Sequence, residues 1–340
     1  MDAAREDVVA AVINYNTAPL TLACVASLRE AGIERILVLD NASAEADFAA
    51  LRDGLAAEPR ARLVRSGENQ GFARGSNALI AEALADPACA RVLLVNSDAV
   101  VEREGLAECL ARMRSEGCDL MGGRMLKPAA PGAAPEVDSL GIALYRSLLA
   151  SNRKSTEEVY LGPTGGLAVY SRRFLEEVAS RHGHVFDPSY FCYAEDTDLC
   201  VRARLLGYAA GYCDRVVAYH RGQASNAGRY DDFILYHGIR NSIWMLAKSM
   251  PAPILLMHLP WVVALHGGIV VRHVRQGRAR TLWRLYRDAL AGLPAVLRAR
   301  RAVQASRRVT LRELRAHIDP RFYETRFLGG ALRELFRGSP

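Results

Sequence analysis

Short apolar runs alternate with longer helical patterns along the first hundred residues of the chain. Apolar runs rich in β-branched residues predict buried strands at residues 8–14, 35–40, 61–66 and 91–98. Between them, leucines and alanines recur at helical spacing, at residues 20–32, 46–57 and 71–85. Strands that alternate with helices build parallel sheets. The pattern therefore predicts an α/β fold with a doubly wound, mostly parallel sheet flanked by helices.

Polar residues follow three of these predicted strands. They are Tyr15, Asn16 and Thr17, then Asp40, Asn41 and Ser43, and finally Asn96, Ser97 and Asp98. One such set is most often a turn or a helix cap. In an open α/β sheet, however, ligands bind outside the carboxyl ends of the strands. Three sets at one edge of the sheet therefore indicate a ligand site.

The sequence contains neither of the common phosphate-binding loops. No GxGxxG follows the first strand, and GxxxxGK[ST] is absent. A diphosphate would need another source of positive charge, and Asp98 could supply it by binding a divalent cation. Residues 68–77 (ENQGFARGSN) place two glycines and an arginine at the start of a helix, which suits close backbone approach to an anion. An ordinary loop before a helix explains them equally well.

Beyond residue 248 the composition changes. Residues 251–271 carry no formally charged side chain and approach the length of about 20 residues that spans a bilayer as a helix. Two histidines, three prolines and a glycine pair weaken that interpretation. We expect instead a helix lying in the membrane interface, or a hydrophobic hairpin packed on the preceding domain. The arginine-rich segment that follows favours an anionic membrane surface or a lipid diphosphate over a solvated helix face.

Composition and charge limit the class of protein. The chain has 340 residues, is 50% hydrophobic and can bury a sizeable core. Its seven cysteines are scattered singly and no signal-peptide pattern is present, so we expect reduced thiols and a cytoplasmic location. The net charge is +7, but residues 272–308 contain eleven arginines and one acidic residue. The remainder is mildly acidic, which disfavours nucleic-acid binding.

Seven motifs in order resemble one known family. They are VINYN (12–16), VLDNAS (38–43), ENQGFARGSN (68–77), LLVNSDA (93–99), GPTGGLAVYSRR (162–173), FDPSYFCYAEDTDLCVRAR (186–204) and YHRGQAS (219–225). Together they resemble the family 2 inverting glycosyltransferases with a GT-A fold, and within them a rhamnosyltransferase-like group that builds bacterial surface polysaccharides. The resemblance covers about two thirds of the chain. It implies a catalytic domain over residues 1–248 and a helical, hydrophobic then basic extension over 249–340.

The resemblance also implies roles for individual residues. Asp98 and His220 would bind Mn²⁺ or Mg²⁺, with Asn96 at the first position of the family's DXD motif. Asp40 would contact the nucleobase of the donor. Asp196 would be the catalytic base, and Gly165, Gly166 and Glu195 would contact the sugar or the acceptor. The donor-binding residues implied are Asn14, Asn16, Asp40, Asn41, Asn69, Gly71, Phe72, Arg74, Asn77, Asn96 and Ser97.

The acidic cluster Glu195, Asp196 and Asp198 has a second interpretation. It lies at the predicted first turn of a helix, where carboxylates interact favourably with the helix dipole. The dipole would lower the pKa of Asp196, so burial would have to oppose it for Asp196 to act as a base. Residues 127–136 are predicted to form a mobile loop near the acceptor cleft. Arg240 and Asn241 could reach the donor phosphates or the acceptor, but the pattern favours a solvated helix face.

The sequence as a whole predicts a metal-dependent inverting glycosyltransferase. It would transfer a sugar, rhamnose from dTDP-rhamnose being the first candidate, to a hydroxyl of a glycan or lipid-linked acceptor at the inner face of the cytoplasmic membrane. Two alternatives remain at this point. A sugar nucleotidyltransferase would need a basic, glycine-rich loop near the N-terminus, and residues 15–21 offer none. A non-catalytic nucleotide or glycan binder would not need Asp98, Asp196 and His220.

Overall fold

The structure is a computed structural model that describes residues 7–129, 133–221 and 230–324. Its helices are α1 Ala18–Glu30, α2 Glu45–Leu55, α3 Gly71–Ala85, α4 Arg103–Ser115, α5 Arg172–His182, α6 Glu195–Leu205, α7 Tyr230–Ser249, α8 Ala252–Arg275, α9 Ala279–Ala305 and α10 Leu311–Arg315. Its strands are β1 Val8–Asn14, β2 Arg35–Asp40, β3 Ala61–Arg65, β4 Arg91–Asn96, β5 Ala99–Val101, β6 Leu120–Leu126, β7 Val137–Ser139, β8 Ile142–Tyr145, β9 Ala150–Asn152, β10 Leu167–Ser171, β11 Ala210–His220 and β12 Ile318–Asp319.

A large mixed sheet forms the centre of the molecule, in the order β3-β2-β1-β4-β10-β6-β11-β5, with β7 added beside β6. The first four of these strands are parallel, and β10 runs antiparallel between β4 and β6. Asn14 of β1 pairs in register with Asp40 of β2, and Ile13 with Asn96 of β4. The predicted mostly parallel α/β sheet is thus confirmed, and the three polar sets meet at one edge.

Hydrophobic cores cover both faces of this sheet. In β1, Val8, Ala10 and Val12 face one core, and Val9 and Ala11 face the other. Because successive side chains of a strand point to opposite faces, a strand buried on both sides must be apolar throughout. This explains why the strand residues read as continuous apolar runs. It also leaves only the strand ends for polar side chains.

The C-terminal part of the chain packs back onto the part that precedes it. Helix α7 packs along α9, and Trp244 on α7 donates its indole N–H to the carbonyl of Ala289 at 2.9 Å. Strand β12 pairs with β8 in a small three-stranded sheet, β12-β8-β9. Residues of the predicted extension therefore contribute to a sheet whose other strands lie before residue 153. The predicted domain boundary near residue 248 stays a prediction.

Helix α8 contains the apolar segment noted in the sequence. It continues without interruption through Pro260, Gly267 and Gly268, so the predicted hairpin within residues 251–271 is wrong. A proline costs a helix one hydrogen bond, but neighbouring turns can hold the helix across it. Within residues 7–129, 133–221 and 230–324, α8 is the one helix long and apolar enough to cross a membrane. Only 17% of its most apolar stretch is buried.

Candidate active site

A buried asparagine organises the edge of the sheet where β1 and β2 end. The amide nitrogen of Asn14 donates to Asp40 Oδ1 and Ser43 Oγ at 3.0 Å and to Asp47 at 2.9 Å. Its amide oxygen accepts from Thr21 at 2.7 Å. Neither Asn14 nor Asp40 has any solvent exposure. Both side chains therefore fix the loops after β1 and β2, and their predicted contacts with a donor stay predictions.

The exposed polar residue at this edge is Asn16. Its backbone is in the left-handed region, with φ of 55°, and its amide oxygen accepts from the backbone N–H of Ala44 at 2.8 Å. Ser97 lies nearby, with its hydroxyl 3.2 Å from that of Thr17. These contacts place the polar sets after β1, β2 and β4 side by side, as the sequence predicts.

Asn41 connects this edge to the start of α3. Its amide nitrogen donates to Asn69 Oδ1 at 3.0 Å, and its amide oxygen accepts from the backbone N–H of Gln70 at 2.8 Å. Gly71 follows with φ of 68°, and a Cβ added there would lie 2.5 Å from the carbonyl oxygen of Phe191. A side chain would be strained by the backbone angle and would collide with that oxygen. Glycine at 71 thus allows α3 to approach the segment before α6.

The remaining predicted residues on α3 lie in different surroundings. Phe72 packs edge-on against Phe186, with ring centroids 5.8 Å apart. Asn77 makes two hydrogen bonds with the backbone of Phe186, at 2.7 and 2.9 Å. Arg74 is exposed. Asn77 therefore fastens α3 to the segment after α5, while Phe72 and Arg74 are the residues here that remain available to a ligand.

A chain of direct contacts connects the predicted base with the predicted metal ligands. The backbone N–H of Gly165 donates to Asp196 Oδ2 at 3.0 Å, and the carbonyl of Gly166 accepts from the backbone N–H of Asn96 at 3.0 Å. The amide nitrogen of Asn96 lies 3.3 Å from Nε2 of His220. That Nε2 lies 3.0 Å from Asp98. The structure thus brings together residues that are spread over 124 positions of the sequence.

Asp138 is a part of the site that the sequence did not reveal. Its carboxylate lies 2.8 Å from Nδ1 of His220, opposite the Nε2 that faces Asp98. Burial lowers the pKa of His220, but the hydrogen bonds to Asp138 and Asp98 outweigh it and raise the pKa to about 9. Asp138 lies in β7, after an alanine- and proline-rich segment, and no spacing in the sequence connects it with His220.

These residues fit a divalent cation. In metal sites a ligating histidine commonly donates its second ring N–H to a carboxylate, which fixes the orientation of the ring. Asp138 makes this contact with Nδ1 of His220. Asp98 and His220 are the two ligands the site offers, beside the amide of Asn96, and a cation would displace the proton that Nε2 of His220 shares with Asp98. No group of three His, Cys, Asp or Glu side chains in the described part of the chain could hold a metal by itself. A cation here would complete its coordination with oxygens of a phosphate ligand or water.

Asp196 and Glu195 begin α6, as predicted. Burial raises the pKa of Asp196, although the backbone N–H groups of Gly165 and Thr197 act in the opposite direction. Burial together with the charge of Asp196 raises the pKa of Glu195 well above its usual range. The Oε2 atom of Glu195 has no hydrogen-bond partner among the residues the structure describes. At Asp196 the effect of burial is thus larger than that of these hydrogen bonds, which is the direction that a base requires.

The segment before α6 is strained and held from outside. Phe191, Tyr193 and Ala194 all have positive φ, between 64° and 67°. The amide nitrogen of Asn241 lies 2.8 to 2.9 Å from the carbonyl oxygens of Tyr190, Cys192 and Tyr193. Non-glycine residues adopt such angles only where surrounding contacts compensate for the strain. Asn241 supplies these contacts.

The prediction of a solvated helix face at Arg240 and Asn241 is therefore wrong. Asn241 has no exposed surface, and Arg240 is 8% exposed. Arg240 lies over the ring of Trp244 at 4.4 Å and donates from Nε to the Asn241 amide oxygen at 3.0 Å. The helical periodicity of α7 could not reveal this, because the face that is buried depends on where α9 and the segment before α6 pack.

Asp198 belongs to a buried ion network behind the site. Its carboxylate accepts from Arg202 at 2.8 Å, Lys248 at 3.0 Å and Ser249 at 2.7 Å, and Lys248 also contacts Asp187 at 2.5 Å. Burial raises the pKa of Asp198, but Lys248 and Arg202 outweigh it and hold the pKa below its usual range. Asp198 is thus a structural residue that joins α6 to α7, and Asp196 faces the opposite way.

A sequence profile described as glycosyl transferase family 2 matches residues 10–179, half of the chain. The chain belongs to glycosyl transferase family 2. The match begins within β1 and includes β2 to β4, β10 and the two glycines at 165 and 166, so the predicted family and the prediction of a transferase are confirmed. The match describes family 2 as a whole and does not distinguish a rhamnosyltransferase subgroup within it.

Relatives of this family 2 member include a curated hexosyltransferase. The chain is 24% identical over 217 residues to the low-salt glycan biosynthesis hexosyltransferase Agl10 of Haloferax volcanii, covering 63% of this chain and 67% of that protein. Solved structures share the fold. Mannosyltransferase PcManGT of Pyrobaculum calidifontis, in complex with GDP-Man and Mn²⁺, aligns with a TM-score of 0.51 and 18% identity. The alignment covers 98% of this chain and 81% of PcManGT. TarS of S. aureus, in complex with UDP-GlcNAc, aligns with a TM-score of 0.53 and 15% identity, and the alignment covers 88% of this chain and 89% of TarS.

Two predicted features fall partly outside the described residues. The loop predicted at 127–136 is described except for residues 130–132, and Lys127 and Glu136 at its ends form a 3.0 Å ion pair. The YHRGQAS motif is described as far as residue 221.

Proposed function

We propose that this family 2 protein is a metal-dependent inverting glycosyltransferase in which Asp196 is the catalytic base. The observation that carries the proposal is the contact chain from Asp196 through Gly165, Gly166 and Asn96 to His220 and Asp98. It connects a partly buried carboxylate with the two side chains proposed to bind the metal. A transferase needs these two groups on opposite sides of one sugar.

Asp196 would accept the proton of the acceptor hydroxyl as its oxygen bonds to the anomeric carbon of the donor. The bond from that carbon to the diphosphate oxygen breaks, and the diphosphate leaves with the electron pair on the opposite face. One displacement of this kind inverts the configuration, and no covalent intermediate is formed. Gly165 would keep Asp196 oriented through its N–H, while Glu195, whose pKa is raised by burial and whose Oε2 has no hydrogen-bond partner among the described residues, would contact the sugar or the acceptor.

Asp98 and His220 would hold the divalent cation, and a bound Mn²⁺ or Mg²⁺ supplies positive charge against the diphosphate. The imidazole of His220 favours Mn²⁺, because Mg²⁺ prefers sites in which all ligands are oxygen atoms. A solved relative of the same fold, PcManGT, was determined with GDP-Man and Mn²⁺, which supports this assignment. Asn16, Arg74 and Ser97 are the donor-binding candidates nearest the exposed edge.

The finer parts of the proposal concern substrates and location. We propose dTDP-rhamnose as the first donor to test, and a hydroxyl of a glycan or lipid-linked acceptor in surface polysaccharide synthesis. The curated hexosyltransferase relative is named for glycan biosynthesis, which supports a glycan acceptor. Residues 1–248 would form the catalytic domain and 249–340 a membrane-associating extension at the cytoplasmic face. The profile match to a glycosyltransferase family disfavours a nucleotidyltransferase or a non-catalytic binder.

The test is release of nucleoside diphosphate by the purified chain. UDP-, GDP- and dTDP-sugars, including dTDP-rhamnose, are incubated with Mn²⁺ or Mg²⁺, and Asp196→Asn and Asp98→Ala are compared with the wild type. Asp214→Asn is the control, because Asp214 is an exposed carboxylate of β11 that pairs with Arg124 outside the site. Release from one donor that is lost in both site variants and kept in the control is expected. Lack of release together with lack of metal-dependent nucleotide binding would refute the proposal.

A further inference from the structure

Exposed apolar side chains are concentrated on two helices of the extension. Of the large hydrophobic side chains that are exposed in the described residues, all except Val100 and Tyr219 lie on α8 and α9. They are Leu256, Met257, Leu259, Trp261, Val263, Val270, Val271 and Val274 on α8, and Trp283, Leu290 and Leu297 on α9. Large apolar side chains that are exposed together on neighbouring elements often mark a binding surface.

Helix α8 is apolar on the side that faces away from the protein. Its packed side carries the buried residues Ile254, His258 and Leu265, and His266 bonds to the hydroxyl of Tyr286 on α9 at 2.9 Å. Leu256 on the other side is 70% exposed and Val263 is 62% exposed. A soluble amphipathic helix has the reverse arrangement, with its apolar face packed and its polar face in water. The outer face of α8 therefore lacks its partner.

Helix α9 presents a second exposed stripe. Trp283, Leu290 and Leu297 follow each other at intervals of seven residues and so lie on one face, while Leu285 and Ala289 on another face are buried. Arginines flank the stripe at Arg280, Arg284, Arg287, Arg298 and Arg301, and all five are exposed. An apolar stripe bordered by arginines is typical of helices that lie on anionic membranes.

A basic cavity lies beside α8. It has a volume of about 100 Å³ and is lined by Arg146, His258, Arg315, Ile318, Asp319 and Pro320. Asp319 is neutralised by Arg321 at 2.7 Å, whereas Arg146 and Arg315 form no ion pair with a carboxylate of the described residues. Arg146 lies 5.1 Å above the ring of Trp261, an exposed residue of α8. The cavity thus combines two guanidinium groups with an apolar helix at its border.

We propose that the outer faces of α8 and α9 form a surface that docks flat on a bilayer containing anionic lipids, and that Arg146 and Arg315 bind the phosphate of one lipid headgroup. Apolar side chains would enter the interface while the arginines meet the phosphates. At about 1.5 Å per residue α8 could cross a bilayer, but its packing against the protein on one side prevents lipid from surrounding it. A second copy of the chain would bring two arginine-rich surfaces together, which disfavours self-association.

This inference deepens the proposed membrane location, and its tests do not require sugar transfer. The full chain is sedimented with vesicles of phosphatidylcholine alone or of an equal mixture of phosphatidylcholine and phosphatidylglycerol. Binding to the mixed vesicles is expected, with release by sodium carbonate. Quenching of Trp261 and Trp283 by brominated lipid is also expected, since the third tryptophan, Trp244, is buried. Absence of binding to both vesicles, or retention after carbonate, would overturn flat docking.

Matched variants identify the surface. Leu256→Ser and Leu290→Ser should each weaken vesicle binding about tenfold, because each removes one large apolar side chain from the interface. Val100→Ser, on β5, is the control and should bind as the wild type does. If the Leu256 and Leu290 variants bind like the control, the proposed surface is wrong. Nucleoside diphosphate release, measured on the same samples in solution, reports failure of the transferase proposal separately.

Variants of two arginines of α10 distinguish lipid binding in the headgroup cavity from general electrostatic attraction to the vesicle. Arg315→Gln should lose about fivefold in affinity for the mixed vesicles and Arg146→Gln a similar amount. Arg312→Gln removes an equal charge from the same helix outside the cavity and should lose less. Soluble short-chain phosphatidic acid should bind the wild type more tightly than inorganic phosphate. Equal losses in the Arg312 and Arg315 variants, or preference for inorganic phosphate, would refute a lipid headgroup site.

Other occupants of the surface give distinct results. Residues 325–340 lie outside the described part of the chain. If they cover α8, their deletion should increase vesicle binding strongly from a low starting value, and that outcome would contradict a surface open to lipid. A concentration-dependent dimer in analytical ultracentrifugation that Leu256→Ser abolishes would also contradict it. A monomer whose binding survives the deletion supports the proposal.

Discussion

The carboxylate of Asp138 lies 2.8 Å from Nδ1 of His220, across 82 residues of sequence. This contact leaves Nε2 of His220 directed toward Asp98 at 3.0 Å. One histidine nitrogen is thus fixed by a carboxylate so that the other is presented to the proposed cation. In the proposed site Asp138 would be a positioning residue, because it contacts His220 and would act on the cation through it.

Asp138→Asn should weaken binding of Mn²⁺ about 10- to 100-fold when measured by electron paramagnetic resonance with a nucleoside diphosphate present. The reason is that an amide holds the imidazole less firmly and makes it a weaker ligand. Asp214→Asn, which changes an exposed carboxylate of β11, should leave Mn²⁺ affinity unchanged. Equal Mn²⁺ affinity in the Asp138 variant and the wild type would refute the role given to Asp138.

Asn241→Leu should lower kcat with little change in the donor KM. The variant leaves three carbonyl oxygens of the segment before α6 without their donor, so the positive φ angles at Phe191, Tyr193 and Ala194 are no longer supported. We expect a stability loss of about 2 kcal/mol, measured by denaturant unfolding, and a larger loss in turnover. Ser242→Ala is the neighbouring control. A variant that is equally destabilised but keeps full kcat would show that Asn241 is only structural.

The pH dependence of kcat/KM should report Asp196. A base must be deprotonated, and burial raises the pKa of Asp196, so activity should fall on the acid side at a pH above about 4, the usual value for aspartate. Asp196→Asn should abolish transfer. Gly165→Ala should shift the acid limb, because its added Cβ would lie 3.1 Å from Phe72 and disturb the N–H that stabilises the ionised form. An acid limb at or below pH 4 would contradict the raised pKa.

Lys248→Met should destabilise the protein by about 3–5 kcal/mol at pH 7, because Asp187 and Asp198 would be left buried without their shared cation. Their pKa values are lowered in the folded protein, so the stability they contribute is present above about pH 4 and is lost as the pH falls further. Thermal unfolding at several pH values measures both effects. The double variant Lys248→Met/Asp187→Asn should be less destabilised than Lys248→Met alone. A Lys248→Met protein as stable as the wild type would refute the network.

Gly71→Ala should reduce both stability and turnover. The φ of 68° costs alanine about 1 kcal/mol or more, and the added Cβ would lie 2.5 Å from the carbonyl oxygen of Phe191. Gly67→Ala is the matched control in the same loop, where a Cβ would meet nothing within 4 Å. Differential scanning calorimetry and donor binding should separate the two variants. Equal behaviour would show that α3 can shift without affecting the segment before α6.

Local pattern was sufficient for much of the fold. The apolar runs gave β1 to β4 and the helical spacing gave α1, α2 and α3, because each depends on neighbours within a few residues. The edge where Asn16, Asn41 and Ser97 meet also followed, since parallel strands end at the same side of a sheet. The antiparallel β10 between β4 and β6 had no such signal, because its place depends on pairing with distant strands.

The amino-acid sequence by itself determined the family and the parallel half of the sheet, and it supplied the residues proposed for the chemistry: a carboxylate at 196, a carboxylate at 98 and a histidine at 220. Only the tertiary structure decided how these residues are supported. Asp138 reaches His220, Asn241 holds the segment before α6, and burial raises the pKa of Asp196 through contacts between residues far apart in the chain. Such contacts depend on packing, and a periodic pattern carries no information about which distant partner packs against it.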